Sequence, residues 1–284
     1  MKRILLFLFF ASIIYSCDKI NPDDRIELKQ IVSVDTTATD TTTYSSYHRV
    51  LIEDYTGHQC GHCPQAAEMI DSLIELYPHK IIPITVHSGS YAELNPPKYT
   101  QDYRTEDGDK YSSFFTIVAH PTGLFNRVDF KIFEHLKVVD QFKSETQKQI
   151  ADTQKIGMRM IHSYNESSRE ISVTVKFKAL LDLKGEYKLC VCLTEDSLFS
   201  YQKDYSKSPQ DIPNYHHKHL FRTTLNTTWG ETVAVNMAKD STKQKSYNYT
   251  ISSAYKAKNC HLIAYIYDSQ SYKIVESIDE KLIK

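Results

Sequence analysis

The sequence predicts an α/β domain followed by an all-β domain. Residues 47–154 alternate between short apolar runs and amphipathic runs of helical period, which is typical of a mostly parallel α/β sheet. From about Lys155 the apolar period changes to two, as in Ile171–Phe177, and no long helical pattern intervenes. A chain of 284 residues is long enough for both. We therefore expect an α/β domain over 47–154 and a β-sandwich over 155–284.

The N-terminus predicts an export signal and a tether. A basic start precedes Ile4–Ile14, an apolar run too short to span a bilayer. Ser16–Cys17 then has the arrangement of a bacterial lipoprotein cleavage site, so we expect residues 1–16 to be removed and Cys17 to carry the lipid. An ordinary secretory signal with an incidental cysteine is the alternative. Residues 17–46 are mostly polar and predict a lipidated tether.

A Cys-x-x-Cys pair lies between a strand and a helix in the first domain. Arg49–Tyr55 predicts the strand, Cys60–Cys63 is the pair, and Ala66–Tyr77 predicts an amphipathic helix. This order is the active-site arrangement of thioredoxin-fold redox proteins. The α/β domain is therefore predicted to be thioredoxin-like.

Thiol chemistry assigns a role to each residue of the motif. A helix N-terminus stabilises a thiolate, which is the nucleophilic form of cysteine. Cys60 comes first and is predicted to be the exposed, attacking sulfur, whereas Cys63 lies a turn deeper and resolves the mixed disulfide. His62 adds a titratable donor whose positive form favours the thiolate, and Gly61 supplies a small turn residue.

Two other interpretations of the pair remain open. It could be a permanent structural disulfide, or it could be half of a zinc site if distant histidines fold back onto it. Those histidines are His216, His217 and His219, which we predict to form a solvated cluster instead of a metal site.

The remaining elements of the first domain follow in order. Lys80–His87 predicts a buried strand, with Pro83 at a bulge or an edge because it lacks a ladder donor. Pro121 precedes the apolar strand Gly123–Phe125, at the place where thioredoxin folds carry a cis-proline that faces the Cys-x-x-Cys pair. We predict a cis bond there and a role for Pro121 in shaping the substrate groove. Lys131–Thr153 predicts the closing helix.

The second domain contains eight segments that predict strands. Cys190 and Cys192 are two apart on one of them and should face the same way. Cys260 begins a later strand, and no disulfide is assigned among the three. The segments are Ile156–Tyr164, Glu170–Leu183, Tyr187–Thr194, Lys218–Leu225, Thr232–Ala238, Ser246–Ala257, His261–Asp268 and Ser271–Ile278.

Composition limits the classes of partner. A net charge of -1 provides no basic field, so nucleic acid is not a predicted partner. Beyond the N-terminal run, no segment predicts a membrane helix. Neither a cofactor nor a bound metal is predicted.

Several short motifs are spread along the chain, namely Val50–Gly57, Cys60–Ala66, Arg104–Tyr111, Pro121–Gly123, Asn126–Arg127, His219–Arg222 and Thr228–Glu231. Together they resemble the outer membrane protein 28 family of Bacteroidetes lipoproteins. The resemblance implies a thioredoxin-like domain and an immunoglobulin-like β-domain at the outer membrane, and it implies no substrate. It also suggests that Arg127 pairs with a carboxylate or with carbonyl groups near the site.

The sequence thus predicts a lipid-anchored thiol–disulfide oxidoreductase or isomerase of the cell envelope. The Gly-His pair inside the motif resembles that of protein disulfide isomerase, whose potential is about -180 mV. Protein thiols or disulfides of the envelope would be the partners, and the lipid on Cys17 would hold the chain at the periplasmic face or the cell surface. The alternative is a non-catalytic outer-membrane lipoprotein for adhesion or ligand binding, with Cys60–Cys63 as a structural disulfide.

Overall fold

The computed structural model describes residues 44–284. The predicted signal peptide, Cys17 and nearly all of the tether lie outside these residues. The described part contains three α-helices and thirteen strands. The helices are α1 (Cys63–Leu76), α2 (Glu106–Phe114) and α3 (Val139–Ile150). The strands are β1 (Val50–Thr56), β2 (Ile81–His87), β3 (Thr122–Phe125), β4 (Ile156–Asn165), β5 (Glu170–Ala179), β6 (Leu183–Glu195), β7 (Leu198–Lys203), β8 (Asp211–His217), β9 (Leu220–Thr224), β10 (Glu231–Met237), β11 (Thr242–Thr250), β12 (Cys260–Asp268) and β13 (Ile274–Lys281).

Strand β1 is the centre of the first half of the fold. It pairs in parallel with β2 along its whole length and antiparallel with β3. Ile70 and Leu73, three apart on α1, pack with Phe142 of α3 against Val50 and Ile52 of β1. Both faces of β1 are covered, so all seven of its residues are buried.

One mixed sheet runs through both halves of the chain. Its strand order is β13-β12-β6-β9-β2-β1-β3, with β10 also paired to β6. The two halves join where Thr85 of β2 pairs with Leu220 of β9. The predicted boundary after residue 154 stays a prediction. Strand β2 has no bulge at Pro83: its pairing with β1 runs through Ile52 and Pro83 without a shift of register.

The second half is β-rich, as predicted. Strands β11, β5 and β4 form a three-stranded sheet that packs on β6, β10, β12 and β13 around a common apolar core. Cys190 and Cys192 lie in the same core cluster, with Tyr111 and Tyr265, which confirms that they face the same way. Cys260 lies in the core between the two sheets. All three are buried free cysteines.

The closing helix and one pair of strands differ from the prediction. The closing helix begins at Val139 instead of Lys131, because the left-handed backbone of Phe133 interrupts the chain and the Gln141 side chain accepts a hydrogen bond from the backbone N–H of Val138. Strands β7 and β8 were not predicted at all. They form a separate two-stranded hairpin.

Candidate functional site

A disulfide joins Cys60 to Cys63 at the start of α1. The backbone N–H of Cys60 donates to the carbonyl of Gly57, and that of Cys63 donates to the carbonyl of Cys60. Pro64 lies in the first turn of the helix, where a missing N–H costs no hydrogen bond. The prediction of a Cys-x-x-Cys pair at a helix start is confirmed.

The two residues between the cysteines contact Tyr205, in the turn that joins β7 to β8. A Cβ atom on Gly61 would lie 2.5 Å from the Tyr205 ring, so the close approach of this ring excludes any larger residue. His62 is exposed and precedes the helix, and its ring meets that of Tyr205 edge-on at 5.1 Å between centroids. Gly61 is therefore required by the contact with the Tyr205 ring as well as by the turn.

Both sulfur-bearing side chains are buried. Cys60 is 3% exposed and Cys63 is 2% exposed, so the prediction that Cys60 is an exposed sulfur is wrong. The β7–β8 hairpin packs on the loop that carries Cys60: the Gln202 amide donates to the carbonyls of Gly57 and Cys60 at 3.3 and 3.0 Å. The sequence prediction failed here because it missed the hairpin.

Pro121 lies at the same end of the sheet as the cysteine pair. The His120–Pro121 bond is cis, as predicted. Thr122 follows it and pairs with Tyr55, near the end of β1 from which the chain runs into the motif. The His120 ring also contacts Tyr91. The role of Pro121 in a substrate groove stays a prediction.

Asp54 is a candidate functional residue that the sequence prediction missed. Its side chain lines a cavity of about 380 Å³ that Cys63 also lines. The residue is 2% exposed, and within residues 44–284 its Oδ1 atom has no hydrogen-bond partner. Burial raises the pKa of Asp54 to about 7. The signal that could have found Asp54 was two successive carboxylates, Glu53 and Asp54, directly after the apolar run Val50–Ile52 of the same strand.

Two histidines form another part of the cavity wall. The rings of His87 and His217 are 5.6 Å apart between centroids. Burial lowers the pKa of His217 to about 3 and that of His87 well below its ordinary value, so both rings are neutral at physiological pH.

The predicted solvated cluster of His216, His217 and His219 does not form. His217 is buried, whereas its neighbour His216 is exposed and stacks on Phe199, because successive residues of a strand face opposite ways. His219 forms an ion pair with Asp196 when its ring is protonated. No group of three or more His, Cys, Asp or Glu side chains in residues 44–284 is arranged to hold a metal ion.

A buried ion pair lies beside the site, on the opposite face of β1 from Asp54. Arg127 donates two hydrogen bonds of 2.7 Å to the carboxylate of Glu53, and both side chains are at most 2% exposed. Arg127 therefore pairs with a carboxylate, as expected. Four aromatic rings surround its guanidinium at 4.8–5.9 Å, namely those of Tyr111, Phe115, Tyr265 and Tyr267.

The free cysteines are unsuited to thiol exchange. Burial raises the pKa of Cys190 to about 11 and that of Cys260 to about 12, and it raises the pKa of Cys192 well above the ordinary value. Since the thiolate is the nucleophile, these buried thiols are unreactive near neutral pH. Thiol chemistry in the described residues therefore belongs to Cys60 and Cys63.

The fold and the site define a β-rich protein with a disulfide at a helix start. Residues 108–284, more than half of the sequence, match the family described as outer membrane protein Omp28. The chain belongs to this family, and its location is the outer membrane. The matched residues begin after the Cys60–Cys63 pair. No helix in the described part of the chain is long and apolar enough to cross a membrane.

Similar solved structures include proteins from Porphyromonas gingivalis and Agrobacterium tumefaciens. HBP35 of Porphyromonas gingivalis is 16% identical, with a TM-score of 0.60 over 84% of this chain and 77% of that one. A protein from Agrobacterium tumefaciens is 13% identical, with a TM-score of 0.46 over 84% and 96% of the two chains. A domain of the outer membrane lipoprotein Omp28 from P. gingivalis is 21% identical, with a TM-score of 0.31 over 46% and 91%. The likeness to HBP35 is one of fold. Comparison with curated proteins finds no match.

Proposed function

We propose that the protein is a lipid-anchored thiol–disulfide oxidoreductase or isomerase of the cell envelope, with a thioredoxin-like unit over residues 47–154. The observation that carries the proposal is the disulfide at the start of α1, whose second cysteine shares a cavity with the buried carboxyl group of Asp54. The Oδ1 atom of that group has no hydrogen-bond partner within residues 44–284. A structural staple needs no titratable group beside it, whereas thiol exchange needs one to move a proton.

The oxidised form reacts with a substrate dithiol in two exchange steps. A substrate thiolate attacks the Cys60 sulfur, the Cys60–Cys63 bond breaks, and the Cys63 thiolate leaves. Cys63 then takes a proton from Asp54, whose pKa of about 7 lets it give and accept protons near neutral pH. The second substrate thiolate attacks the substrate sulfur of the mixed disulfide and releases the Cys60 thiolate. The substrate is oxidised by two electrons and the protein is reduced by two.

The other proposed residues assist these steps. The free N–H groups at the start of α1 stabilise the Cys60 thiolate, and a protonated His62 adds positive charge beside it. Pro121 shapes the groove for the substrate chain at this end of the sheet. The lipid on Cys17 and the tether of residues 17–46 keep the site near the membrane, where envelope proteins supply the thiols or disulfides.

One observation favours the alternative function. Both cysteine side chains are almost fully buried, which suits a structural disulfide in a non-catalytic lipoprotein for adhesion or ligand binding. The two functions differ in whether the bond opens during turnover.

Turnover with Cys60→Ser distinguishes the two functions. We expect the wild-type protein to reduce insulin in the presence of dithiothreitol or to reactivate scrambled ribonuclease, and Cys60→Ser to fall to the background of both assays. Cys260→Ala, which removes a buried free thiol elsewhere, is the matched control and should retain activity. A wild-type protein that has no activity in either assay, and whose disulfide stays closed throughout, would identify Cys60–Cys63 as a structural disulfide instead.

A further inference from the structure

We propose that the β7–β8 hairpin, residues 198–217, is a lid that closes over the Cys60–Cys63 disulfide and must move aside before a thiol can reach it. The inference rests on the proposed function, since a lid matters only where the bond reacts. It starts from the burial of Cys60, which is 3% exposed although it precedes a helix at the end of a sheet.

The inner side of the lid binds the loop that carries the cysteines. The backbone N–H of Lys203 donates to the carbonyl of His58 at 2.8 Å, and that of Tyr205 donates to the carbonyl of Gly61 at 2.9 Å. The buried Gln202 amide donates to the carbonyl of Cys60, which lies between His58 and Gly61 in the loop. These bonds hold the loop on both sides of the first cysteine, where an incoming substrate chain would have to lie.

The Tyr205 ring completes the cover on the solvent side. It packs directly on Gly61, meets the His62 ring edge-on, and is itself 50% exposed. The ring therefore lies between the motif and bulk solvent. Because a residue with a Cβ in place of Gly61 would collide with it, the motif and the lid fit each other.

A polar clamp holds the outer side of the lid. Asp211, at the start of β8, accepts hydrogen bonds from the Lys98 ammonium at 2.6 Å and from the Tyr99 hydroxyl at 2.5 Å. The Lys203 ammonium donates to the same carboxylate at 2.9 Å. The Tyr99 ring in turn stacks on His58. One carboxylate thus ties both lid strands to the loop around residue 99.

The lid is separable from the rest of the fold. Strands β7 and β8 form their own two-stranded sheet, so the hairpin can move without breaking the ladders of the larger sheets. An isolated two-stranded hairpin is marginally stable in water. The hydrogen bonds to the cysteine loop and to Asp211 therefore decide whether the hairpin stays closed. Ser197 and His219, which flank the hairpin, both have left-handed backbone conformations and mark the two ends at which it would turn.

The rate at which a phosphine reduces the disulfide tests the lid. In the purified protein, reduction by tris(carboxyethyl)phosphine is followed by alkylation and mass spectrometry. We expect Tyr205→Ala and Asp211→Asn each to react about 10-fold faster than the wild type, as the loss of a charge-assisted hydrogen bond or an aromatic contact implies. Lys207→Ala, at an exposed position of the same turn, is the control and should keep the wild-type rate.

Equal rates for the wild type, Tyr205→Ala and Asp211→Asn would overturn the proposal. Asp211 lies away from the motif. The Asp211→Asn variant therefore still tests the lid if Tyr205→Ala does not fold. Circular dichroism of each variant separates lid opening from general unfolding. The phosphine reacts without any turnover by the protein, so the lid and the proposed catalysis can fail independently of each other.

Discussion

Replacing Arg127 by methionine should lower the free energy of unfolding by about 3–5 kcal/mol, the usual cost of removing one partner of a buried ion pair. The substitution leaves the Glu53 carboxylate without its two hydrogen bonds in a site that is at most 2% exposed. It also removes the cation from the ring of aromatic side chains that includes Tyr265 on β12. Guanidinium unfolding near pH 7, followed by tryptophan fluorescence and circular dichroism, measures the loss.

The same change at an exposed pair is the control. Arg104 forms a bidentate ion pair with Asp102, and the two side chains are 32% and 40% exposed. Arg104→Met should therefore cost less than about 1 kcal/mol. Adding Glu53→Gln to Arg127→Met should recover part of the loss, because the unpaired charge disappears. A loss below about 1 kcal/mol for Arg127→Met would show that the Arg127–Glu53 pair contributes little to the stability of the fold.

Replacing Asp54 by asparagine should make the stability of the protein less dependent on pH. The pKa of Asp54 is about 7 in the folded protein and about 3.8 when unfolded, so the folded state holds the proton more tightly. Wild-type stability therefore falls as pH rises from about 4 to about 7 and is level above that. We expect the stability of Asp54→Asn relative to the wild type to grow by about 2–3 kcal/mol between about pH 5 and pH 8.

Unfolding of the oxidised proteins at a series of pH values measures this difference. Asp71→Asn is the matched control, because Asp71 lines the same cavity but its side chain is 41% exposed. Its free energy of unfolding should stay within about 1 kcal/mol of the wild-type value at each pH, because the exposed ion pair of Asp71 with Lys218 contributes little. Parallel pH profiles for Asp54→Asn and the wild type would contradict the assignment of a raised pKa to Asp54. They would also remove the proton carrier from the proposed mechanism.

Local patterns predicted the first half of the site well. The strand, the Cys-x-x-Cys pair and the helix follow one another within about thirty residues, and each has its own periodicity or turn signal. The cis-proline was also predicted from its position before a short apolar strand. A carboxylate partner for Arg127 was expected, but that the partner is Glu53 follows only from the pairing of β1 with β3.

The lid could not be predicted by the same means. Strand β8 contains Pro213 and Asn214, and its two histidines face opposite ways, so no apolar alternation marks it as a strand. The hairpin is fixed instead by contacts with the loop at residues 57–61, about 140 positions earlier in the chain. The burial of Cys60 depends on this long-range contact. That is why the sequence predicted an exposed sulfur where the structure has a covered one.

The redox equilibrium of Cys60–Cys63 with glutathione tests the central claim most directly. The protein is incubated to equilibrium in buffers of graded glutathione ratio, and the fraction of open disulfide is measured by alkylation and mass spectrometry. Reversible opening at a potential between those of thioredoxin, about -270 mV, and protein disulfide isomerase, about -180 mV, is the expected result. Cys190, Cys192 and Cys260 should remain thiols throughout. A bond that stays closed until below about -300 mV would identify a structural disulfide and contradict the proposed function.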